Sequence, residues 1–309
     1  MKKTMINSVH IEGLLYSHNL AAKVTGETSK APGTPFINGT LDIATDDACT
    51  NIVTVHYTYV TPTYSQSGKT NPNYQILMDI IDGKTKSITA NSKEEAQKLR
   101  IDSNIGLNEF YSDRNGEEVL VSAKRNEGGF IHLVTAIDAD EKKRNTFMTD
   151  MVITGVTHVD ADEQRELPEK VLVKGCIFDF RKAILPVEFS ATSAGAMSYF
   201  EGLGASNQNP VFTKVWGREV STTILRKQVE ESAFDEALVR EVASTRKDFV
   251  ITGASPEPYD WDDEATLTAA ELKKAMTDRQ TYLATIKQRQ DEYKASQKAS
   301  APKSGGFDF

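Results

Sequence analysis

The chain has 309 residues, 44 acidic side chains against 36 basic ones, and a formal charge of −8. The length suits one large domain or two modest ones, and 39% hydrophobic with 26% charged residues excludes wholesale disorder. No apolar stretch approaches the roughly 20 residues that cross a bilayer, the two lysines after Met1 have no apolar run behind them, and Cys49 and Cys176 form no Cys-x-x-Cys pair; these features argue against a membrane span, a secretory signal, a disulfide framework and a zinc ribbon.

The first 60 residues read as β structure. Val9, Ile11 and Leu15 alternate with polar neighbours around Gly13, the pattern of a bulged strand. After a loop rich in Gly, Ser, Thr and Pro, residues 36–44 and 51–60 carry β-branched and aromatic side chains on either side of turn residues at 46–48, which predicts a hairpin. Residues 61–140 read as an inserted subdomain. Pro62 to Pro72 has loop composition. Short strands are expected at Tyr74–Ile81, Glu118–Ala123 and Phe130–Ile137, a short helix from Ser92, and turns at Asn115-Gly116 and Gly128-Gly129.

Alternation returns at 147–159, 171–180, 183–190 and 212–229. Ser193–Gly202 reads as a short helix with Met197 and Phe200 on one face, and 218–231 with 238–252 predict a long hairpin arm. Residues 253–265 hold five acidic side chains and no Lys or Arg, and read as an acidic linker. Thr268 is the expected N-cap of a C-terminal helix, with Glu271 completing a capping box and Leu267 and Leu272 forming a hydrophobic staple. The stripe Leu272, Met276, Leu283, Ile286 and Tyr293 is interrupted by Arg279 and Gln290, which argues against a long coiled coil. The division is therefore a body at 1–252, a linker at 253–265, a helix at 266–297 and a disordered tail at 298–309.

Catalysis finds no support. The five histidines (His10, His18, His56, His132 and His158) show no metal-ligand spacing, and there is no phosphate-cradling Gly-rich loop, dinucleotide fingerprint or nucleophile elbow. The reading is a protein that is not an enzyme and takes no cofactor or metal. Binding features are more numerous. Tyr57, Tyr59, Tyr64 and Tyr74 fall within 18 positions, joined by a loop carrying Lys69, and offer rings for unpaired bases. The bland alternative is that Tyr57 and Tyr59 cover the core, since Val53 and Val55 share their parity. Trp216 lies between Lys214 and Arg218. Lys84, Lys86, Lys124 and Arg125, with further basic clusters at 142–144, 181–182 and 226–227, sit at expected strand ends and turns. The tail ends on Phe307-Asp308-Phe309, an apolar tip with a carboxylate that suits capture by a partner's pocket.

Residues 36–46 (FINGTLDIATD), 51–57 (NIVTVHY), 210–217 (PVFTKVWG) and 268–273 (TAAELK) resemble single-stranded DNA-binding proteins carried by bacteriophages and prophages of Gram-positive bacteria. The resemblance implies a mainly β fold, an OB-fold (a Greek-key β-barrel) with a large insertion and a β-hairpin arm, followed by the C-terminal helix and tail. It further implies protection of single-stranded DNA with little sequence preference during replication or recombination, with partners recruited through the tip. The compartment is then the cytoplasm of a bacterial host, and self-association stays open. Beside a hydrolase with unrecognised carboxylates, for which the sequence gives no ligand set, two alternatives stay open. One is a virion structural or assembly protein docking through its C-terminal helix; the other is a single-strand annealing recombinase.

Overall fold

The computed structural model describes residues 4–64, 67–162, 167–230, 238–261 and 266–300. Strands dominate it. In chain order they are β1 (Asn7–His18), β2 (Ala21–Val24), β3 (Pro35–Ala44) and β4 (Ile52–Val60), then helix α1 (Pro72–Ile81), β5 (Lys98–Arg114) and β6 (Glu117–Leu133). A second series follows: β7 (Asn145–Val159), β8 (Lys170–Phe178), β9 (Ile184–Ala191), helix α2 (Ala194–Gly202), β10 (Val211–Glu230) and β11 (Leu238–Ala254). Helix α3 (Ala269–Ser300) comes last.

The two series pair in the same circuit. β1 pairs β3, β3 pairs β4, β4 runs parallel to β6, β6 pairs β5, and β5 returns to β1. β7 pairs β8, β8 pairs β9, β9 runs parallel to β11, β11 pairs β10, and β10 returns to β7. Each circuit is a five-stranded Greek-key barrel with one helix between its third and fourth strands, the OB-fold arrangement. Residues 61–140 thus supply the helix and last two strands of the first ring, where the sequence reading has an inserted subdomain. The barrels join directly, since β1 also pairs β7 with Ser8 opposite Met148.

Local chemistry explains most elements. Gly13 in β1 is required by a close approach: a Cβ there would stand 2.0 Å from the carbonyl oxygen of Ala44. The expected hairpin forms, with Ala44 opposite Ile52. The long arm also forms, with Arg218 opposite Val250. Tyr74–Ile81, expected as a strand, is helix α1 instead. Asn71 caps it by accepting from Asn73 N at 3.2 Å, Pro72 occupies the first turn, and Leu77 and Ile80 turn inward. The helix expected from Ser92 is a turn in which Ser92 Oγ accepts from Glu95 N at 3.3 Å. Gly128-Gly129 is no hairpin turn. It lies inside β6 with φ of 61° and 113°, where the β5–β6 register shifts.

The described part of the acidic linker packs on the second barrel. The rings of Tyr259 and Trp261 stand 4.8 and 5.5 Å from that of Phe212, and Tyr259 Oη donates to buried Asp150 at 2.7 Å. The α3 capping box is realised, with Thr268 N donating to Glu271 Oε2 at 3.1 Å and Glu271 N to Thr268 Oγ1 at 3.3 Å. Leu267 is buried beside Leu272.

Candidate nucleic-acid interface

The aromatic residues of the first barrel separate. Tyr57 is 3% exposed and belongs to the core, so it offers no ring face for stacking. Tyr59, two residues on, is 52% exposed and lies 4.9 Å from the Phe36 ring. The reversal has a cause. Between Tyr57–Gly39 and Val60–Ile37 the two strands carry unequal numbers of residues, and the bulge turns Tyr59 outward. Tyr59 and half-buried Tyr64 line a hollow of about 430 Å³ that no Lys or Arg lines among the described residues. Lys69 is exposed in the neighbouring loop, where its carbonyl accepts from Tyr64 N at 2.8 Å. Tyr74 packs from α1 against the core.

Four of the candidate cations are occupied. Lys84 pairs Asp82 at 3.0 Å and Asp79 at 3.2 Å, and Lys86 pairs Glu95 at 2.5 Å. Arg125 pairs Glu127 at 2.5 Å. Lys124 reaches across to the second barrel. Its Nζ donates to the carbonyl of Glu188 and stands 5.3 and 5.5 Å from the rings of Phe189 and Phe249. Burial there pulls the ammonium pKa below its usual value. Lys124 and Arg125 do meet His56 and Lys247 along a cleft between the barrels, of about 560 Å³. Burial, then the Arg125 and Lys247 charges, hold His56 below its ordinary pKa and so favour neutral imidazole. Lys247 donates to Thr54 Oγ1 at 2.6 Å.

The third surface differs. β10 presents Lys214, Trp216 and Arg218 on one face, as alternation requires. Pairing sets Trp216 opposite Met148 of β7, and Met148 opposite Ser8 of β1. On the other side Trp216 faces Gly253 of β11, whose missing side chain admits the indole: a Cβ would lie 2.4 Å from Nε1. The result is a hollow of about 490 Å³ at the barrel junction, lined by Trp216, Arg218, Lys142, Met148 and His10 among others. Among the described residues no carboxylate lines it. Among the described residues neither Arg218 nor Lys142 is held in an ion pair. His10 is held at its edge by Asp102 at 3.1 Å and Glu12 at 3.4 Å. Met148 is 39% exposed. Sequence reasoning found Trp216, Arg218 and the 142–144 cluster but missed Met148 and His10, which only strand register brings to this place.

Phe307, Asp308 and Phe309, and the basic pair 226–227 as side chains, lie outside the described residues. Among the described residues no helix is long and apolar enough to cross a membrane, and no cluster of His, Cys, Asp and Glu is arranged to hold a metal ion. Both cysteines are free thiols, and burial pushes Cys176 up to about 12.

Two OB-fold barrels in tandem, with an aromatic and cationic hollow at their junction, define the class of the molecule. The chain belongs to the YorF family, whose model matches residues 6–289. No curated protein matches it. Among solved structures it is similar to a deletion mutant of the single-stranded DNA binding protein from Thermus aquaticus, at 10% identity and a TM-score of 0.46, over 84% of this chain and 98% of that one.

Proposed function

We propose that the protein binds single-stranded DNA with little sequence preference, without a chemical step. The observation that carries this is the Trp216 hollow. An indole seated against Gly253 stands beside Arg218 and Lys142, which no carboxylate neutralises among the described residues. A ring takes any base on its face and the two cations take phosphates, a combination that suits unpaired strand and not duplex. The net charge of −8 is compatible, because binding answers to the local patch, and the carboxylates at its edge, Asp102 and Glu12, are engaged by His10. The sequence resemblance supports a setting in phage DNA replication or recombination in a bacterial cytoplasm, with partners recruited through Phe307-Asp308-Phe309.

The test is fluorescence anisotropy with oligo-dT, a duplex of equal length and an RNA oligomer, at two salt concentrations. Single strand is expected to bind in preference to duplex. W216A is expected to weaken oligo-dT binding about tenfold, within the ~1–3 kcal/mol of one stacked base, and R218A to flatten the salt dependence. Equal affinity for duplex and single strand removes the proposal.

A further inference from the structure

The β8–β9 turn holds a phenylalanine out in water. Phe180 is 83% exposed, the most exposed large apolar side chain among the described residues. The turn that carries it is tightly tied. Asp179 Oδ1 accepts from Arg181 N at 2.8 Å and from Ala183 N at 2.7 Å, and Lys182 N donates to the Asp179 carbonyl at 2.9 Å. Lys182 adopts φ of 64°, a conformation that favours glycine, yet carries a full cationic side chain. The Arg181 guanidinium stands 5.0 Å from the Phe180 ring centroid.

This turn walls a hollow of about 500 Å³ between the barrels and α3, with Tyr282, 53% exposed, also lining it. Its acidic residues are mostly engaged: Glu109 with Arg279, Glu127 with Arg125, and Asp179 within the turn. Arg181 and Lys182 are in no ion pair among the described residues, which leaves two cations against Asp278. The hollow shares Arg125 with the inter-barrel cleft and shares no lining residue with the Trp216 hollow.

We propose that the Phe180-Arg181-Lys182 turn is a second nucleotide subsite, in which Phe180 stacks on an unpaired base while Arg181 and Lys182 take the adjoining phosphates. The inference rests on the single-strand reading and extends it to a place that the Trp216 hollow does not reach. A rigid turn presents the ring without an ordering cost, and stacking asks for an exposed face next to cations.

The full chain is titrated with long oligo-dT as wild type, F180A, R181A/K182A and F180W. Substitution at so exposed a ring leaves folding intact, which a circular dichroism melt verifies. F180A is expected to weaken binding about tenfold and R181A/K182A to lower the salt slope. F180W is expected to show quenching by oligo-dT in excess of the wild type, whose tryptophans are Trp216 and Trp261. Wild-type affinity in F180A with no excess quenching in F180W overturns the subsite while the Trp216 reading stands. Failure of the wild type to bind oligo-dT overturns both.

Discussion

Tyr57 and Tyr59 stand two positions apart on one strand, and strict alternation gives them one face. The bulge between their register partners separates them, so one ring is core and the other is surface. Burial has a consequence for Tyr57. Its hydroxyl is enclosed with no hydrogen-bond partner among the described residues, and burial pushes the phenol far above its ordinary pKa. An enclosed, unpaired hydroxyl loses its water without recompense, at a cost of about 1–3 kcal/mol. Y57F is therefore expected to be at least as stable as the wild type, with a gain of about 1 kcal/mol in urea unfolding, and to bind oligo-dT unchanged. A clear loss of stability would show that the hydroxyl is satisfied in solution.

At the scale of elements, α3 is held by the residues that interrupt its apolar stripe. Arg279 pairs with Glu109 of β5 at 2.5 Å and donates to the Ile184 carbonyl of β9 at 3.1 Å, so one side chain ties the helix to both barrels. Gln290 accepts from Tyr111 N at 2.9 Å and donates back to the Tyr111 carbonyl. Lys287 and Lys294 both pair Glu118, at 3.1 and 3.0 Å. The Glu109 side chain is only 3% exposed, so removing its partner strands a buried charge. R279A is expected to cost about 3 kcal/mol and to free the helix before the barrels open. Limited proteolysis would then cut within 269–295 first, and cleavage no faster than in the wild type would refute this. The α3 cap was legible because a capping box is local, and α2 was legible from its Met197–Phe200 face and its glycines, while its cap, Ser193 Oγ accepting from Ala196 N at 3.3 Å, emerges only in the structure. α1 carries the same kind of signal in Asn71-Pro72, but 62–72 reads as loop by composition and the apolar run behind it as a strand. β5 carried no local signal strong enough to mark it, because its pattern acquires meaning only from β1 and β6 on either side. The docking role of Arg279 and Gln290 was hidden for the same reason: a polar residue in a stripe reads as an interruption until its partner is known.

At the scale of the molecule, a barrel closes through parallel pairs far apart in sequence, Val55 with Asn126 and Val250 with Ser190. No local pattern announces such a pair, which is why one barrel with an insertion and two barrels read alike in the sequence. The Trp216 hollow inherits that limit, since β1, β7 and β10 meet only once both rings have closed. What locks the rings together is polar and buried. Asn126 of β6 donates to Glu219 Oε2 of β10 at 2.7 Å, and the Glu219 carbonyl accepts from Asn145 at 2.5 Å and Asn51 at 3.3 Å. Burial raises the Glu219 pKa above its ordinary 4.5, against the hydrogen bond from Asn126 and the charges of Lys247 and Lys124. The unfolded chain therefore releases this proton at a lower pH than the folded chain. Between the two values the folded state binds more protons, so the contribution of Glu219 is full below pH 4.5 and is lost as pH rises through the folded value. E219Q keeps an acceptor for Asn126 and has nothing to ionise. Its melting temperature is expected to match the wild type near pH 4 and to exceed it increasingly towards pH 8, by on the order of 1 kcal/mol or a few degrees. Scanning calorimetry of both proteins across that range decides the matter. Parallel curves would mean that Glu219 ionises equally in both states, and that Lys124 and Lys247 hold it as a charged inter-barrel clasp.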